Sequence, residues 1–416
     1  MDTWIGIVFL VVIVNIVSLF AIKKDISILA FILLILVTII SAVRSDIGED
    51  YSGYIGWFSV CDITQDILPY PEMSFQILAT LIQKTNLSYQ CMFAFYSIMI
   101  SVFIWKSAKL YVKDRKYVLL YISLWVIAAF DIGWWYSMNV IRQYLAVTIL
   151  LYAYRYLIEK ENKKYITWCL IAAFIHVSAL AMLVLPILLK MKISKKIYAI
   201  FIGVAIVLSF TSFKHIWMQW ILSTVGIYEN YIDFTVGDTY AGLGLSSYFF
   251  LIQAVFLMKK LNWDIRDEYV IGVFISLCTI MKFMLVRPYT RMCAFFSIAF
   301  IVAWIILLCK NKIKQKSILI ASIVLLYSAT FLYDINATVG GHDTDWRPSA
   351  GNIDYKVNLK NEIIIEDLHY KLDDLIEKQD KIAKRVLELE KKKKAVATKG
   401  NKEYKFIDIS EGEKKK

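Results

Sequence analysis

The sequence predicts an all-α fold: a polytopic transmembrane helical bundle of about ten spans, with re-entrant or interfacial helices added and a coiled-coil-like tail at the C-terminus. Three observations lead there. Hydrophobic residues make up 59% of the 416, and the mean hydropathy of +0.57 exceeds what a soluble domain carries. Apolar runs of about 17–20 residues recur, each long enough to cross roughly 30 Å of hydrocarbon. Lysines gather in the short turns between those runs, as cytoplasmic loops do.

Spans are expected near 4–22, 26–43, 89–105, 117–132, 140–158, 197–213, 246–258, 269–286, 292–309 and 317–333. The first is read as a retained helix, because no small-residue cleavage site ends it. Lys23–Lys24 and the basic turns 106–116, 160–164, 190–196, 259–260 and 310–316 belong on the cytoplasmic side. Loops 44–73 and 214–245 carry the acids, among them Asp46, Asp50, Glu72 and Asp238, and belong outside. The sides alternate only if two segments do not cross as ordinary spans. Residues 72–87, after Pro69 and Pro71, then form a helix dipping from outside. Residues 165–189 enter and leave on the cytoplasmic side as two short helices meeting near His176. Such breaks survive in a bilayer only where protein or water covers the freed backbone groups.

The membrane domain therefore covers 1–333, and 334–416 forms a second, polar part. In it Ile365, Leu368, Leu372, Leu375, Gln379, Ile382, Val386 and Leu389 alternate by three and four. That is a heptad seam with one polar position, an association device through which copies of the chain would pair. A lysine-rich end follows. The net charge of +12 comes mainly from the basic turns, since the tail's lysines are nearly balanced by its acids, so positive-inside topology explains it and no nucleic-acid partner is called for. The six cysteines show neither a disulfide framework nor zinc spacing and read as packing residues.

The same parity places Arg44, Arg142, Arg287 and Arg291 on the outer side. A guanidinium at bilayer depth costs on the order of 3 kcal/mol or more without a partner. Four placed alike point to a shared anion, and phosphate matches arginine best. Arg44-Ser45-Asp46-Ile47-Gly48-Glu49-Asp50-Tyr51, continuing to Tyr54, supplies one arginine with several carboxylates. Asn139 to Gln143 carries Arg142, and Arg287-Pro288-Tyr289-Thr290-Arg291 carries two more, with Lys282 about a turn deeper. His176 sits at the suspected helix break. For each arginine the plainer alternative is interfacial anchoring by snorkelling; for His176 it is a bond to a backbone carbonyl. No phosphate loop, zinc-protease helix or nucleophile elbow occurs, so ATP hydrolysis, zinc proteolysis and serine esterase chemistry lack support.

At these residues the chain resembles the EpsG-like family of bacterial membrane proteins, related to Wzy-type O-antigen and capsule polymerases. The matches, in order, are Arg44…Gly48-x-Asp50-Tyr51-x-x-Tyr54, Pro71-Glu72…Phe75, Asn139…Arg142-Gln143-x-x-Ala146, Ala172…Phe174-x-His176-x-Ser178-Ala179-Leu180 and Arg287-x-x-x-Arg291. The tail beyond about 334 is not covered. The resemblance implies polymerisation of undecaprenyl-pyrophosphate-linked oligosaccharide at the outer face of the bacterial cytoplasmic membrane, with a chain-length regulator as a further partner. Under that reading Arg142, Arg287 and Arg291 take the pyrophosphate, and Arg44 helps or pairs with Asp46. Asp50 is the first choice of base, then Glu72 and Asp46; His176 orients the ligand or acts as base, with Tyr51, Tyr54, Asn139 and Gln143 in support. No metal or cofactor is required. The rivals are a transporter or flippase of lipid-linked sugars and a membrane glycan ligase or acyltransferase.

Overall fold

The computed structural model describes residues 12–14, 27–44, 50–65, 67–68, 71–211, 213, 216–217, 220, 244–285, 289–310 and 315–339. Within them the chain is helical: α1 (Ser27–Ala42), α2 (Tyr51–Val60), α3 (Met73–Lys84), α4 (Gln90–Tyr111), α5 (Val118–Val126), α6 (Trp134–Asn139) and α7 (Ile141–Ile158). Then come α8 (Asn162–Ile175), α9 (Leu185–Lys190), α10 (Lys195–Ser209), α11 (Leu245–Lys260) and α12 (Arg266–Met284), followed by α13 (Ala294–Ser297), α14 (Ala299–Cys309) and α15 (Lys316–Val339). Short 3-10 helices occupy Arg115–Tyr117, Val177–Val184 and Tyr289–Cys293. The expected span 4–22, apart from 12–14, and the heptad seam 365–389 lie outside the described residues.

Gln90–Tyr111, Arg291–Cys309 and Lys316–Ile335 are long and apolar enough to cross a membrane, whereas Ser27–Ala42 and Val177–Lys190 are apolar but shorter. α1 shows how such helices divide their surface. Ala30, Leu34, Val37 and Ser41, spaced by four, three and four, are buried, while Ile28, Leu36 and Ile39 face outward. The buried seam packs on α4 and α5, and Thr38 and Ser101 hydroxyls meet across it at 2.6 Å. Small and hydroxylated residues allow that close approach where hydrocarbon gives no hydrophobic drive. α7 is buried almost all round between α4 and α8.

Two segments depart from simple spans. α8 ends at His176, whose backbone is extended (φ −152°, ψ 119°), and the chain turns back through Val177–Val184 into α9. Tyr165 Oη donates to the Met182 carbonyl at 3.1 Å, tying the two arms into a hairpin. This is the break expected over 165–189. The second departure corrects the expected span 117–132. Helix α5 stops at Val126, and residues 127–133 form an irregular link to α6. Apolar composition alone reads this stretch as a continuous helix, but Phe130 takes a left-handed φ of 61°. Its N–H is drawn to Asp334 Oδ2 of α15 at 3.0 Å. α4 in turn runs past 105 to Tyr111, since Lys106 and Lys109 lie along Phe103 and Trp105. Their charge ends the apolar run without ending the helix.

α7 and α12 give the bundle two chemically distinct ends. At one, Arg266 donates to the Leu157 carbonyl at 2.9 Å and Lys113 pairs with Asp267 at 3.2 Å, beside the lysine-rich turns. Arg142 stands near the other end of α7 (Ile141–Ile158), so at about 1.5 Å per residue it lies roughly 22 Å from Leu157.

The link 127–133 has no room to spare. A Cβ on Gly133 would lie 2.1 Å from the Ala128 carbonyl oxygen. Gly133→Ala is expected to destabilise the protein by about 1–3 kcal/mol or more through overpacking against backbone; a thermal melt in detergent reads the loss.

Candidate functional site

At the end of α7 away from the lysine-rich turns, three segments distant in sequence meet around one carboxylate. Glu72 precedes α3, and Gln76 holds its approach in place by donating to the carbonyls of Leu68 (2.8 Å) and Pro71 (2.6 Å) while accepting from Leu68 N–H (3.0 Å). The Glu72 carboxylate then accepts a bond from Arg142 Nη1 on the first turn of α7. Its other oxygen takes the Val177 N–H at 3.3 Å and stands 3.9 Å from His176 Nε2. The α8 break thus delivers both a backbone donor and an imidazole to the same group.

Arg142 is only 3% exposed. Its guanidinium lies 4.8 Å from the Trp57 ring centroid, 5.6 Å from Phe75 and 5.7 Å from Tyr54. Aromatic faces attract a desolvated cation by up to ~2 kcal/mol, so α2 and α3 complete the cage that Glu72 neutralises. Tyr54 is therefore a wall of the site, and Tyr51 stacks on Phe93 at 5.0 Å. At His176, Nδ1 lies 2.6 Å from the Ser178 hydroxyl and accepts the Ser178 N–H at 3.4 Å. In the neutral ring this puts the proton on Nε2, facing Glu72, and leaves no lone pair on that side.

A looser pair lies alongside. Asp50 begins α2, and its N–H donates to Asn139 Oδ1 at 3.1 Å. Its carboxylate is 3.6 Å from Arg291 Nη1, with side-chain exposures of 28% and 40%. Gln143 Nε2 donates to the Arg291 carbonyl at 3.0 Å, so α7 holds the 3-10 segment that carries this arginine. Burial raises the Asp50 pKa above the ordinary carboxylate value, and the nearby Arg291 and then Arg142 offset part of the rise. Adjacent residues of α7 thus serve the two pairs, Arg142 holding Glu72 and Gln143 holding Arg291.

Arg44 is completely buried. It donates to the Ser41 carbonyl at 2.6 Å and lies 4.3 Å over Phe93, a cation set against the negative end of α1. Asp46 and Arg287 lie outside the described residues. Of the residues expected to form a site, Asp50, Glu72, Asn139, Arg142, Gln143, His176 and Arg291 are brought together, with Tyr54 as a wall.

The EpsG family model matches residues 27–347. The chain belongs to the EpsG family. No curated protein and no solved structure gives a significant match. Family membership and the helices able to cross a bilayer make this a membrane protein.

This EpsG-family chain holds a second buried pair that residue patterns missed. Asp131, in the link after α5, bonds Lys282 of α12; the Asp131 carbonyl accepts from Ser297 Oγ at 3.0 Å. Both charged side chains are largely enclosed, at 15% and 5% exposure. A lone acid in the apolar run Ala128-Ala129-Phe130-Asp131-Ile132-Gly133 was the available signal, because such a residue at membrane depth needs a partner. Asp131→Asn or Lys282→Met alone is expected to destabilise by about 3–5 kcal/mol, leaving one buried charge uncompensated, whereas the double change should cost much less. A double-mutant cycle of thermal unfolding checks this; additive losses would show that the two do not act as a pair.

Proposed function

We propose that this EpsG-family protein polymerises undecaprenyl-pyrophosphate-linked oligosaccharide repeat units during surface polysaccharide synthesis. The glycan would pass from the lipid pyrophosphate to a sugar hydroxyl of the next unit at the outer face of the cytoplasmic membrane. The observation that carries this reading is the pairing of Asp50 with Arg291 beside the caged Glu72–Arg142 pair, at the end of the bundle opposite the lysine-rich turns. A partly exposed cation and a partly exposed carboxylate side by side suit a reaction that needs both.

In that reaction the bond from the anomeric carbon to the pyrophosphate oxygen breaks and its electron pair leaves with the pyrophosphate. The acceptor oxygen bonds the anomeric carbon and gives up its proton. Arg291, joined by Arg287, stabilises the charge growing on the leaving group, and its 40% exposure leaves it open to a phosphate. Asp50 takes the proton, because burial lifts its basicity and brings it nearer the operating pH. Glu72 is a weaker choice of base: Arg142 and the Val177 N–H already occupy its oxygens. We assign it, with Arg142 and His176, to holding the helix break and the aromatic wall in register, and Arg44 to anchoring α1. Among the described residues, the candidate-site pairs Glu72–Arg142 and Asp50–Arg291 lie together at one end of α7, which favours group transfer over transport.

Arg291→Ala is expected to lower polymer formation about 100–1,000-fold in purified protein supplied with lipid-linked oligosaccharide, while membrane levels stay normal. Arg291→Lys should recover little of the loss if contact is bidentate. Full-length polymer from Arg291→Ala would remove the pyrophosphate role. Asp50→Asn should lose about 100–10,000-fold. The pH profile carries a sign: a base works ionised, so the rate should fall as pH drops through the raised Asp50 pKa. Arg291→Gln removes the larger opposing influence on Asp50 and should move that acid limb to higher pH. An unmoved limb would assign it to another group.

A further inference from the structure

The lysine-rich end of the bundle carries an open groove between α1 and α4. Ser27, Ile28 and Phe31 of α1 line one side, Trp105 of α4 lines the other, and Arg115 of the 3-10 helix after α4 closes it. Its volume is about 370 Å³, toward the small end of ligand-sized cavities. The floor is apolar and accessible. Ile28 is 64% and Phe31 43% exposed, and the Phe31 and Trp105 rings meet at 5.4 Å.

A cation stands at the rim. Lys109 lies one turn beyond Trp105 on the same face of α4, with its ammonium 5.4 Å from the Trp105 ring centroid. Other lysines of this turn are matched: Lys113 meets Asp267 at 3.2 Å and Lys116 meets Asp114 at 2.7 Å. Lys109 is exposed and has no ion pair among the described residues. Nor does a described carboxylate line the groove. Positive-inside topology accounts for the sign of the turn, but not for an apolar hollow beside it. Away from the groove, α1 continues outward-facing with Ile32, Ile35 and Ile39, and α4 with Val102 and Ile98.

We propose that this groove binds an anionic phospholipid of the leaflet that meets the lysine-rich turns. Lys109 and Arg115 draw its phosphate, and Ile28, Phe31 and Trp105 take the glycerol and the first carbons of its chains. The remaining hydrocarbon follows the exposed face of α1. A soluble anion would use the cations and leave the apolar floor uncovered. A neutral lipid would cover the floor and leave Lys109 unmatched. A charged lipid uses both, as basic pockets at helix ends do when they hold headgroups. Such a lipid ties α1 to α4 at this end, where Arg44 over Phe93 ties them at the other. Membrane residence is all that it requires; the polymerase reading is independent of it.

The test uses the full chain purified in detergent and titrated in mixed micelles with phosphatidylglycerol or, at equal mole fraction, phosphatidylcholine. Native mass spectrometry counts bound lipid, and a thermal melt reads stabilisation. Phosphatidylglycerol is expected to bind and to raise the melting temperature more than phosphatidylcholine does. Lys109→Gln should weaken it about fivefold, the worth of one basic side chain at an anionic surface, and Lys109→Arg should keep it. Ile28→Trp fills the hollow with the charges intact and should also weaken binding, whereas Lys190→Gln, on the basic turn after α9, should leave it unchanged. Equal responses to the two lipids would overturn the proposal, as would wild-type binding in both Lys109→Gln and Ile28→Trp. A loss in Lys190→Gln as large as in Lys109→Gln would replace the site with a diffuse field. The same stabilisation from inorganic phosphate would make the ligand a soluble anion. A dimer that Ile28→Trp dissociates, with no lipid bound, would give the groove to a second copy of the chain.

Discussion

A guanidinium inside a hydrophobic bundle has to be neutralised, and Arg142 meets that requirement in a way that organises much of its neighbourhood. Its partner Glu72 comes from the start of α3, the aromatic faces come from α2 and α3, and the backbone donor on Glu72 comes from the break after α8. Each contact is short-ranged, so each segment must arrive within hydrogen-bond or van der Waals distance of the same two groups. Removing either member would leave the other charge enclosed, a far larger penalty than replacing both with apolar side chains. The pair therefore specifies where α3 and the broken hairpin meet, whatever it adds to net stability.

That fixed half contrasts with the pair beside it. Asp50 and Arg291 stand 3.6 Å apart and remain partly exposed, while Arg142 is almost completely enclosed. Two α7 neighbours divide the work: Arg142 faces the cage, and Gln143, about 100° round the helix, steadies the backbone of Arg291. A preorganised wall next to an accessible cation and carboxylate is an arrangement that stabilises developing charge without rearranging at the moment of reaction. The Asp131–Lys282 pair does for the link between α5 and α6 what Glu72–Arg142 does for the hairpin. It holds a non-helical stretch by matching charge, while the Phe130 N–H is satisfied by Asp334.

Several features were legible in the residues because they arise from local rules. Apolar runs located α1, α7, α10, α11 and α12 to within a few positions, since hydrocarbon selects for length and composition. Charge parity called for a break near His176 and for a separate helix after Pro71; the break is there, and Met73–Lys84 is helical. The break after Val126 was not legible. Nothing in an Ala-Ala-Phe run forbids a helix, and the left-handed turn at Phe130 depends on a carboxylate about two hundred residues away. The surroundings of Arg142 were not legible for a similar reason. Spacing could show that an arginine lies near an end of α7, but not that Glu72 and three aromatic rings already surround it.

Sequence by itself pointed to a helical membrane protein and to Asp50, Glu72, Arg142 and Arg291 as groups that share an end away from the lysine-rich turns. These follow from transfer energies and charge distribution, properties that each residue carries with it. Only the tertiary structure decided which acid pairs with which cation. An ion pair falls off over a few ångströms, and whether Arg142 meets Glu72 while Arg291 meets Asp50 depends on the packing of helices that sequence order does not encode.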